Sequence, residues 1–233
     1  MRSKIINPPT FVLCAALTYG AHREEVKDRI KPSSEMEGFP VFFIKSPTAV
    51  ILNGEAIQLP DIRNIIKKKL DAPYGYVNGE AELAIVIKKE THNVSPKEAK
   101  NHILGYTAFN DVTQRDIQSA NPYYLAVAKG FPTFAPVGPV IISPDEVGNP
   151  DNLSVELRVN GKTYQKASTS DMDYTVAELV SLASRVYPLK RDDIITVGSP
   201  PGMTSRFRPG DTVEVEIERI GILKNPVEFS GRQ

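Results

Sequence analysis

Glu80-Ala81-Glu82-Leu83-Ala84-Ile85-Val86-Ile87 is an apolar run opened by two acids. It reads as a strand, in which side chains two apart share a face. Glu80, Glu82, Ala84 and Val86 then fall on one face, and Ala81, Leu83, Ile85 and Ile87 on the other. Two carboxylates on a strand that is otherwise apolar on both faces are costly unless solvated, paired or bound to a cation. Asn110-Asp111-Val112 closes a second apolar segment, so Glu80, Glu82 and Asp111 read as a three-carboxylate metal site. A hard divalent ion such as Mg²⁺ supplies the compensation such a cluster needs.

A chain of 233 residues can bury one substantial core. We expect a single catalytic domain over 1–233, with an N-terminal segment 1–72 leading into a β-rich core 73–228. The 28 basic residues balance the 28 acidic ones, which removes the long-range attraction typical of binders of nucleic acid or anionic membranes. Chemistry must come from a local site. Cys14 stands alone, so no disulfide framework exists, and a small buried thiol in a reducing compartment is expected. Phe11 to Leu17 follows Arg2 and Lys4 in the manner of a secretory signal, but Asn7-Pro8-Pro9 interrupts it. The run is too short for a bilayer and leads into Arg23-Glu24-Glu25, which predicts a buried first strand and a cytoplasmic protein.

Around these anchors the pattern alternates short strands with few helices. Strands are expected at Phe11 to Leu17, Val41 to Ile44, Glu82 to Lys88, Ile103 to Asn110, Val137 to Ser143, Val155 to Val159, Thr163 to Gln165 and Thr212 to Ile220. Asp193 to Gly198 runs into a glycine- and proline-rich loop ending at Gly202. Thr48 to Leu52 and Ala56 to Leu59 flank Asn53-Gly54, and Asn160-Gly161 divides another pair; both dipeptides signal hairpins. Helices are expected at Ala21 to Ile30, ended by Lys31-Pro32, at Asp61 to Leu70 with Lys67-Lys68-Lys69 on its C-terminal dipole, and at about Thr175 to Val186. Ser95-Pro96-Lys97-Glu98 reads as a capping box, and Pro32 to Pro40 as a loop. Many strands without strict βαβ alternation predict an α+β fold, predominantly β, with a few short helices.

The motifs Glu80-Ala-Glu-Leu-Ala-Ile-Val-Ile, Gly105-Tyr-Thr-Ala-Phe-Asn-Asp-Val-Thr-Gln-Arg-Asp116, Lys129-Gly-Phe, Val159-Asn-Gly161 and Gly198-Ser-Pro-Pro-Gly202 resemble, in order, those of the fumarylacetoacetate hydrolase superfamily. The resemblance spans nearly the whole chain and points to its compact members, which include acylpyruvate hydrolases, oxaloacetate decarboxylases and the isomerase/decarboxylase of homoprotocatechuate breakdown. It implies a β-roll fold, a homodimer, and Mg²⁺ or Mn²⁺ held by Glu80, Glu82 and Asp111. Asp116 competes as a ligand, but its place after Arg115 suggests an ion pair.

Lys129, a lone cation in Ala126-Val-Ala-Lys-Gly-Phe131, needs a partner; beside an oxo acid it could bind a carboxylate or carbonyl. Arg115 and Gln118 resemble substrate-facing residues of the family. His22 and Glu25 lie three apart on a helical face, where the carboxylate can orient the imidazole and raise its basicity. They match a His-x-x-Glu segment that, in the hydrolases, activates water from a mobile lid. Ser199 resembles the hydroxyl-bearing residue of a loop that binds substrate carboxylate. His92 and His102 match no motif and read as ordinary surface or packing residues. Asn78-Gly79 stands where bulkier residues are usual, and Thr18 replaces an asparagine before Tyr19, so the pocket shape is this chain's own.

The leading expectation is a divalent-metal-dependent hydrolase that cleaves a C–C bond in a 2-oxo or 1,3-dicarbonyl acid of acylpyruvate or fumarylacetoacetate type. A second is an isomerase or decarboxylase working through the same ion, which the stretch from Asp111 to Lys129 with Tyr123-Tyr124 particularly resembles. A third is a non-catalytic metal-binding protein of the same fold.

Overall fold

The computed structural model describes residues 7–26, 36, 38–202 and 205–230. Its strands are β1 (Val12–Ala16), β2 (Val41–Lys45), β3 (Val50–Leu52), β4 (Ile57–Leu59), β5 (Val77–Asn78), β6 (Ala81–Ile87) and β7 (Ile103–Asn110) in the first half. The second half contributes β8 (Thr113–Gln114), β9 (Ala135–Ile142), β10 (Ser154–Val159), β11 (Lys162–Ser168), β12 (Ile194–Thr196), β13 (Thr212–Ile217) and β14 (Gly221–Phe229). Among the described residues the helices are α1 (Gly20–Val26), α2 (Pro96–Ala99), α3 (Arg115–Ala120), α4 (Leu125–Lys129), α5 (Pro144–Val147) and α6 (Val176–Val186), besides short 3-10 turns. The class is α+β and mostly strand, as the sequence predicts.

A seven-stranded sheet runs β2-β1-β12-β6-β7-β9-β3 and a five-stranded sheet β11-β10-β13-β14-β4; β5 and β8 form a separate pair. The larger sheet is parallel at β1/β12 and β3/β9 and antiparallel elsewhere. The alternation read in β6 sets the layers. Ala81, Leu83, Ile85 and Ile87 enter the main core with Val155, Leu157, Val213 and Val215 of the smaller sheet and Leu179 and Val180 of α6. Ala84 and Val86 point the other way, into a second cluster with Val12, Cys14, Phe109 and Ile194. β6 is buried along its entire length because both of its faces are covered.

Local signals explain several elements. Thr175 accepts from the Glu178 N–H while the Glu178 side chain returns to Thr175, a reciprocal cap that starts α6. Ser95 and Glu98 do the same for α2. Asn160 and Gly161 both take positive φ, 52° and 78°, and join β10 to β11 in the expected hairpin.

Two expectations fail. Asn53-Gly54 turns the chain, but β3 pairs with β9 and β4 with β14, in different sheets. The turn is satisfied by β14 instead: Lys224 N–H donates to Asn53 Oδ1, Gly54 N–H to Lys224 O, and Asn225 Nδ2 to the carbonyls of Leu52 and Glu55. Tertiary hydrogen bonds convert a hairpin signal into a crossing between sheets. Asp61 to Leu70 is also not a helix. The N–H groups of Ile65 and Ile66 both reach Ile62 O, a single turn, and of its apolar residues only Ile62 is buried while Ile65 is 47 % exposed. Without a buried face a short helix has little to hold it. The edges β5 and β8, the helices α3 and α4, and β14 with its internal Pro226 were not foreseen. The predicted end of the first helix at Lys31-Pro32, and most of the Pro32 to Pro40 loop, lie outside the described residues. No described helix is long and apolar enough to cross a membrane.

These assignments separate two isoleucine- and leucine-bearing segments that look alike in sequence. Leu83→Ala should lower the unfolding free energy by about 2–5 kcal/mol in urea titration, whereas Ile65→Ala should change it by less than about 0.5 kcal/mol.

Candidate metal centre

The register of β6 against β7 builds the acidic cluster. Ala81 lies opposite Asn110 and Glu82 opposite Phe109, and one step further the Asp111 N–H donates to Glu80 O at 2.9 Å. Residues opposite each other across an antiparallel pair share a face. Glu80, Glu82 and Asp111 therefore converge, one carboxylate oxygen from each lying within 4.8 Å of the others. All three residues are at most 8 % exposed.

Three cations face them. Lys129 Nζ, at the end of α4, donates to Glu80 Oε2 at 2.9 Å and also to Asp111 Oδ2. Arg115, at the start of α3, donates through Nη2 to Glu80 Oε1 at 2.7 Å. Lys45, at the end of β2, is fully buried and donates to Asp111 Oδ1 at 2.5 Å and Val112 O at 2.9 Å. Burial alone would raise the Glu80 carboxyl, but Arg115 and Lys129 outweigh it and hold the group well below the usual carboxylate range. Burial opposes the charge of Lys129, yet Asp111 and Glu80 keep its ammonium above the ordinary lysine value. For Lys45 burial wins and lowers the pKa, with Asp111 opposing and Lys129 adding to the fall.

Glu82 is different, because none of these cations binds it directly. Its Oε2 accepts the Gly198 N–H at 3.1 Å, while burial and the charge of Asp111 push the carboxyl up to about 8. The Tyr19 hydroxyl, buried and without a hydrogen-bond partner, is also raised, by burial and then by Glu82. A raised acid beside a second acid is what a divalent charge would relieve. Each carboxylate oxygen has two lone pairs, so the lysine contacts leave acceptor capacity, and three hard oxygen donors fit a divalent cation.

The remaining sequence candidates are placed as follows. Arg115 does not pair with Asp116; it bonds Glu80, Asn78 Oδ1 at 2.6 Å, and Gln118 Oε1 at 2.7 Å. Asp116 accepts instead from Lys68 and the Tyr76 N–H, anchoring the 61–76 loop to α3; consecutive residues of a helix diverge by about 100°, so the two side chains reach different partners. Gln118 thus supports Arg115. His22 Nδ1 meets Glu25 Oε2 at 3.2 Å, and Glu25 also accepts the Gly202 N–H. Ser199 is buried in the loop that starts at Gly198, and its hydroxyl accepts from Gln165. His102 bonds Thr91, and His92 is exposed.

Gly79 and Thr18 make close contacts beside the cluster and its loop. A Cβ on Gly79 would approach Asn110 Oδ1 and Phe207 Cζ closer than 3.0 Å, so a bulkier residue there requires those side chains to shift. Thr18 Oγ1 donates to Val197 O at 2.6 Å, fixing the entry to the 198–202 loop.

Lys45 and Gln165 escaped the sequence reading. Lys45 carried the signal that singled out Lys129, a lone cation ending an apolar run, Val41-Phe-Phe-Ile-Lys45. Gln165 carried none; a glutamine on a strand is unremarkable until its partners are seen.

The class of protein is a β-rich fold built on two large sheets, with a buried carboxylate cluster on paired strands that has the donor set to hold a divalent cation. The chain belongs to the fumarylacetoacetate hydrolase family: residues 11–228 match the pattern described as fumarylacetoacetate (FAA) hydrolase C-terminal. It is 30 % identical over 233 residues to the oxaloacetate tautomerase YisK of Bacillus subtilis, covering 97 % of this chain and 72 % of that protein. The crystal structure of a 5-carboxymethyl-2-hydroxymuconate delta-isomerase from Mycobacterium smegmatis is similar with a TM-score of 0.80 at 34 % identity, covering 97 % of this chain and 81 % of that one. A maleylpyruvate hydrolase from Sphingobium sp. SYK-6, solved with manganese(II) and pyruvate, is similar with a TM-score of 0.77 at 26 % identity, over 98 % and 73 % of the two chains. Family membership predicts an enzyme, and the relatives span tautomerase, isomerase and hydrolase reactions.

The raised Glu82 carboxyl fixes a pH signature. Its folded value of about 8 lies above the ordinary 4.5, so between these values the folded state holds the extra proton. Its contribution to stability is complete below pH 4.5 and is lost as pH rises through 8. Chelator-treated protein should therefore lose stability progressively as pH rises from about 4.5 to about 8 in denaturant titrations, and Glu82→Gln should flatten that slope.

Proposed function

We propose that this protein is a divalent-cation-dependent enzyme of 2-oxo acid chemistry that forms and stabilises an enolate, and that it cleaves a C–C bond in an acylpyruvate-like acid. The observation that carries this is the convergence of Glu80, Glu82 and Asp111 in a buried site flanked by Lys129 and Arg115. Mg²⁺ or Mn²⁺ would be held by those three carboxylates and, when bound, acts as a Lewis acid that polarises a carbonyl.

The chain's own groups do the rest. Lys129 makes two bonds to carboxylates, leaving its third N–H for a substrate carboxylate or carbonyl. Arg115 is oriented by Asn78 and Gln118 and adds positive charge beside the same oxygens. Ser199 offers a hydroxyl to the carboxylate end of the substrate. Glu25 on Nδ1 of His22 keeps that nitrogen protonated and leaves Nε2 to take a proton from water. The activated water attacks the distal carbonyl, and the C–C bond breaks toward the 2-oxo acid half, whose developing oxyanion faces Lys129.

A second reading has its own support. The tautomerase and isomerase relatives are more similar in sequence than the hydrolase, and their reactions need proton transfer without water attack. In that reading His22 carries a proton between carbon and solvent while the same cluster steadies the enolate.

A turnover screen with acylpyruvates, oxaloacetate and dienedioates, with and without Mg²⁺ or Mn²⁺, distinguishes them. The proposal expects acylpyruvate hydrolysis abolished by chelator and a kcat loss of about 10²–10⁴-fold in His22→Ala. Hydrolysis that persists after chelation contradicts it, and tautomerisation or decarboxylation without hydrolysis favours the second reading.

A further inference from the structure

Gln165 belongs neither to the carboxylate cluster nor to the 198–202 loop, yet its side chain joins them. It projects from β11 and is 2 % exposed. Oε1 accepts the Ala81 N–H at 2.9 Å, between the two glutamates. Nε2 faces Ser199 Oγ at 2.9 Å and the carbonyls of Pro200 and Gly202, each at 3.0 Å. The Ala81 donor requires oxygen on that side, so the amide has one orientation.

The loop it grips touches the site at both ends. Gly198 N–H donates to Glu82, and Gly202 N–H donates to Glu25 at 3.2 and 3.3 Å. Neither glycine can be replaced without strain. Gly198 has φ +93° and would drive a Cβ into Thr18, and Gly202 has φ +102° with Tyr164 O at 2.9 Å from a Cβ position. One side chain thereby spans β6, the loop, and indirectly α1.

We propose that Gln165 is the positioning residue that sets the 198–202 loop between the carboxylate cluster and the His22–Glu25 pair, and that it turns the Ser199 hydroxyl into a donor toward substrate. The second half rests on the functional reading above; the first does not. By donating to Ser199 Oγ, the amide occupies a lone pair and leaves the hydroxyl hydrogen free to point elsewhere. In the free protein the hydroxyl donates to Pro200 O with an O···O distance of 3.2 Å, longer than a good O–H···O bond. A substrate carboxylate is the better acceptor and takes it over.

Two variants test this. Gln165→Met keeps the length and loses every hydrogen bond; Gln165→Glu keeps the shape but would make Ser199 donate back to it. Hydrogen exchange of the free protein is read in 198–202 and 20–26, and oxalate, an enolate mimic, is titrated into Mn²⁺-loaded protein. In Gln165→Met exchange should quicken in both segments together, by about tenfold for the lost bonds. In both variants oxalate affinity should fall about tenfold, with Mn²⁺ affinity within about threefold of wild type. Ser199→Ala should reproduce the oxalate loss without the exchange change, and stands in on that arm if Gln165→Met does not fold; Gln165→Glu stands in on the exchange arm.

Quickening confined to the loop, or absent, overturns the coupling. Unchanged oxalate affinity overturns the hydroxyl role, as does a parallel loss of Mn²⁺ affinity and stability. If wild type neither binds oxalate nor turns over any substrate, the functional reading fails, and exchange still decides the coupling.

Discussion

The register between β6 and β7 is the constraint on which the site depends. Each pairing from Ala81 opposite Asn110 to Val86 opposite Gly105 is fixed by apolar side chains that must enter one of two cores. Because side chains alternate with a period of two, a slip of one residue would drive Leu83 and Ile85 out of the main core and turn the glutamates into it. The packing that stabilises the fold is thus the same packing that brings Glu80, Glu82 and Asp111 onto one face. A separate aligning device for the carboxylates is not needed.

That arrangement concentrates charge where water is scarce, and the chain answers with cations drawn from three different elements. Lys45 comes from the edge strand β2, Arg115 from α3 and Lys129 from α4. Removing one partner of a buried ion pair leaves the other uncompensated at a cost of about 3–5 kcal/mol, so these contacts constrain where α3 and α4 sit. Glu82 lacks such a partner, and its raised carboxyl marks the side on which compensation is incomplete. The same side carries the Gly198 N–H and the loop leading to Glu25. Charge imbalance and candidate catalytic groups share a direction.

Much of this was legible before any coordinates. The two-faced character of β6, the turn at Asn160-Gly161, the cap at Ser95, the helix from about Thr175 to Val186 and the acidic triad all follow from local patterns that the tertiary structure leaves intact. The failures have a common cause. Asn53-Gly54 makes its turn, but Lys224 and Asn225, remote in sequence, decide which strands it joins. Asp61 to Leu70 has a helical apolar spacing, but of its apolar residues only Ile62 finds a core. Asp116 follows Arg115 in sequence yet the two side chains leave α3 toward different partners. Lys45 and Gln165 gain their roles from contacts more than thirty residues away. Local chemistry predicts elements; which buried polar groups meet is a property of the assembled sheets.

The central claim is that the converged carboxylates are a cation site rather than a structural ion-pair knot. Anomalous diffraction from crystals grown with Mn²⁺ tests it directly. The account predicts one strong peak per chain, bonded to an oxygen from each of Glu80, Glu82 and Asp111 at about 2.0–2.3 Å, close to the distances hard cations keep from oxygen. Crystals that show no peak there, with Lys129 still bridging Glu80 and Asp111 at saturating Mn²⁺, would contradict it.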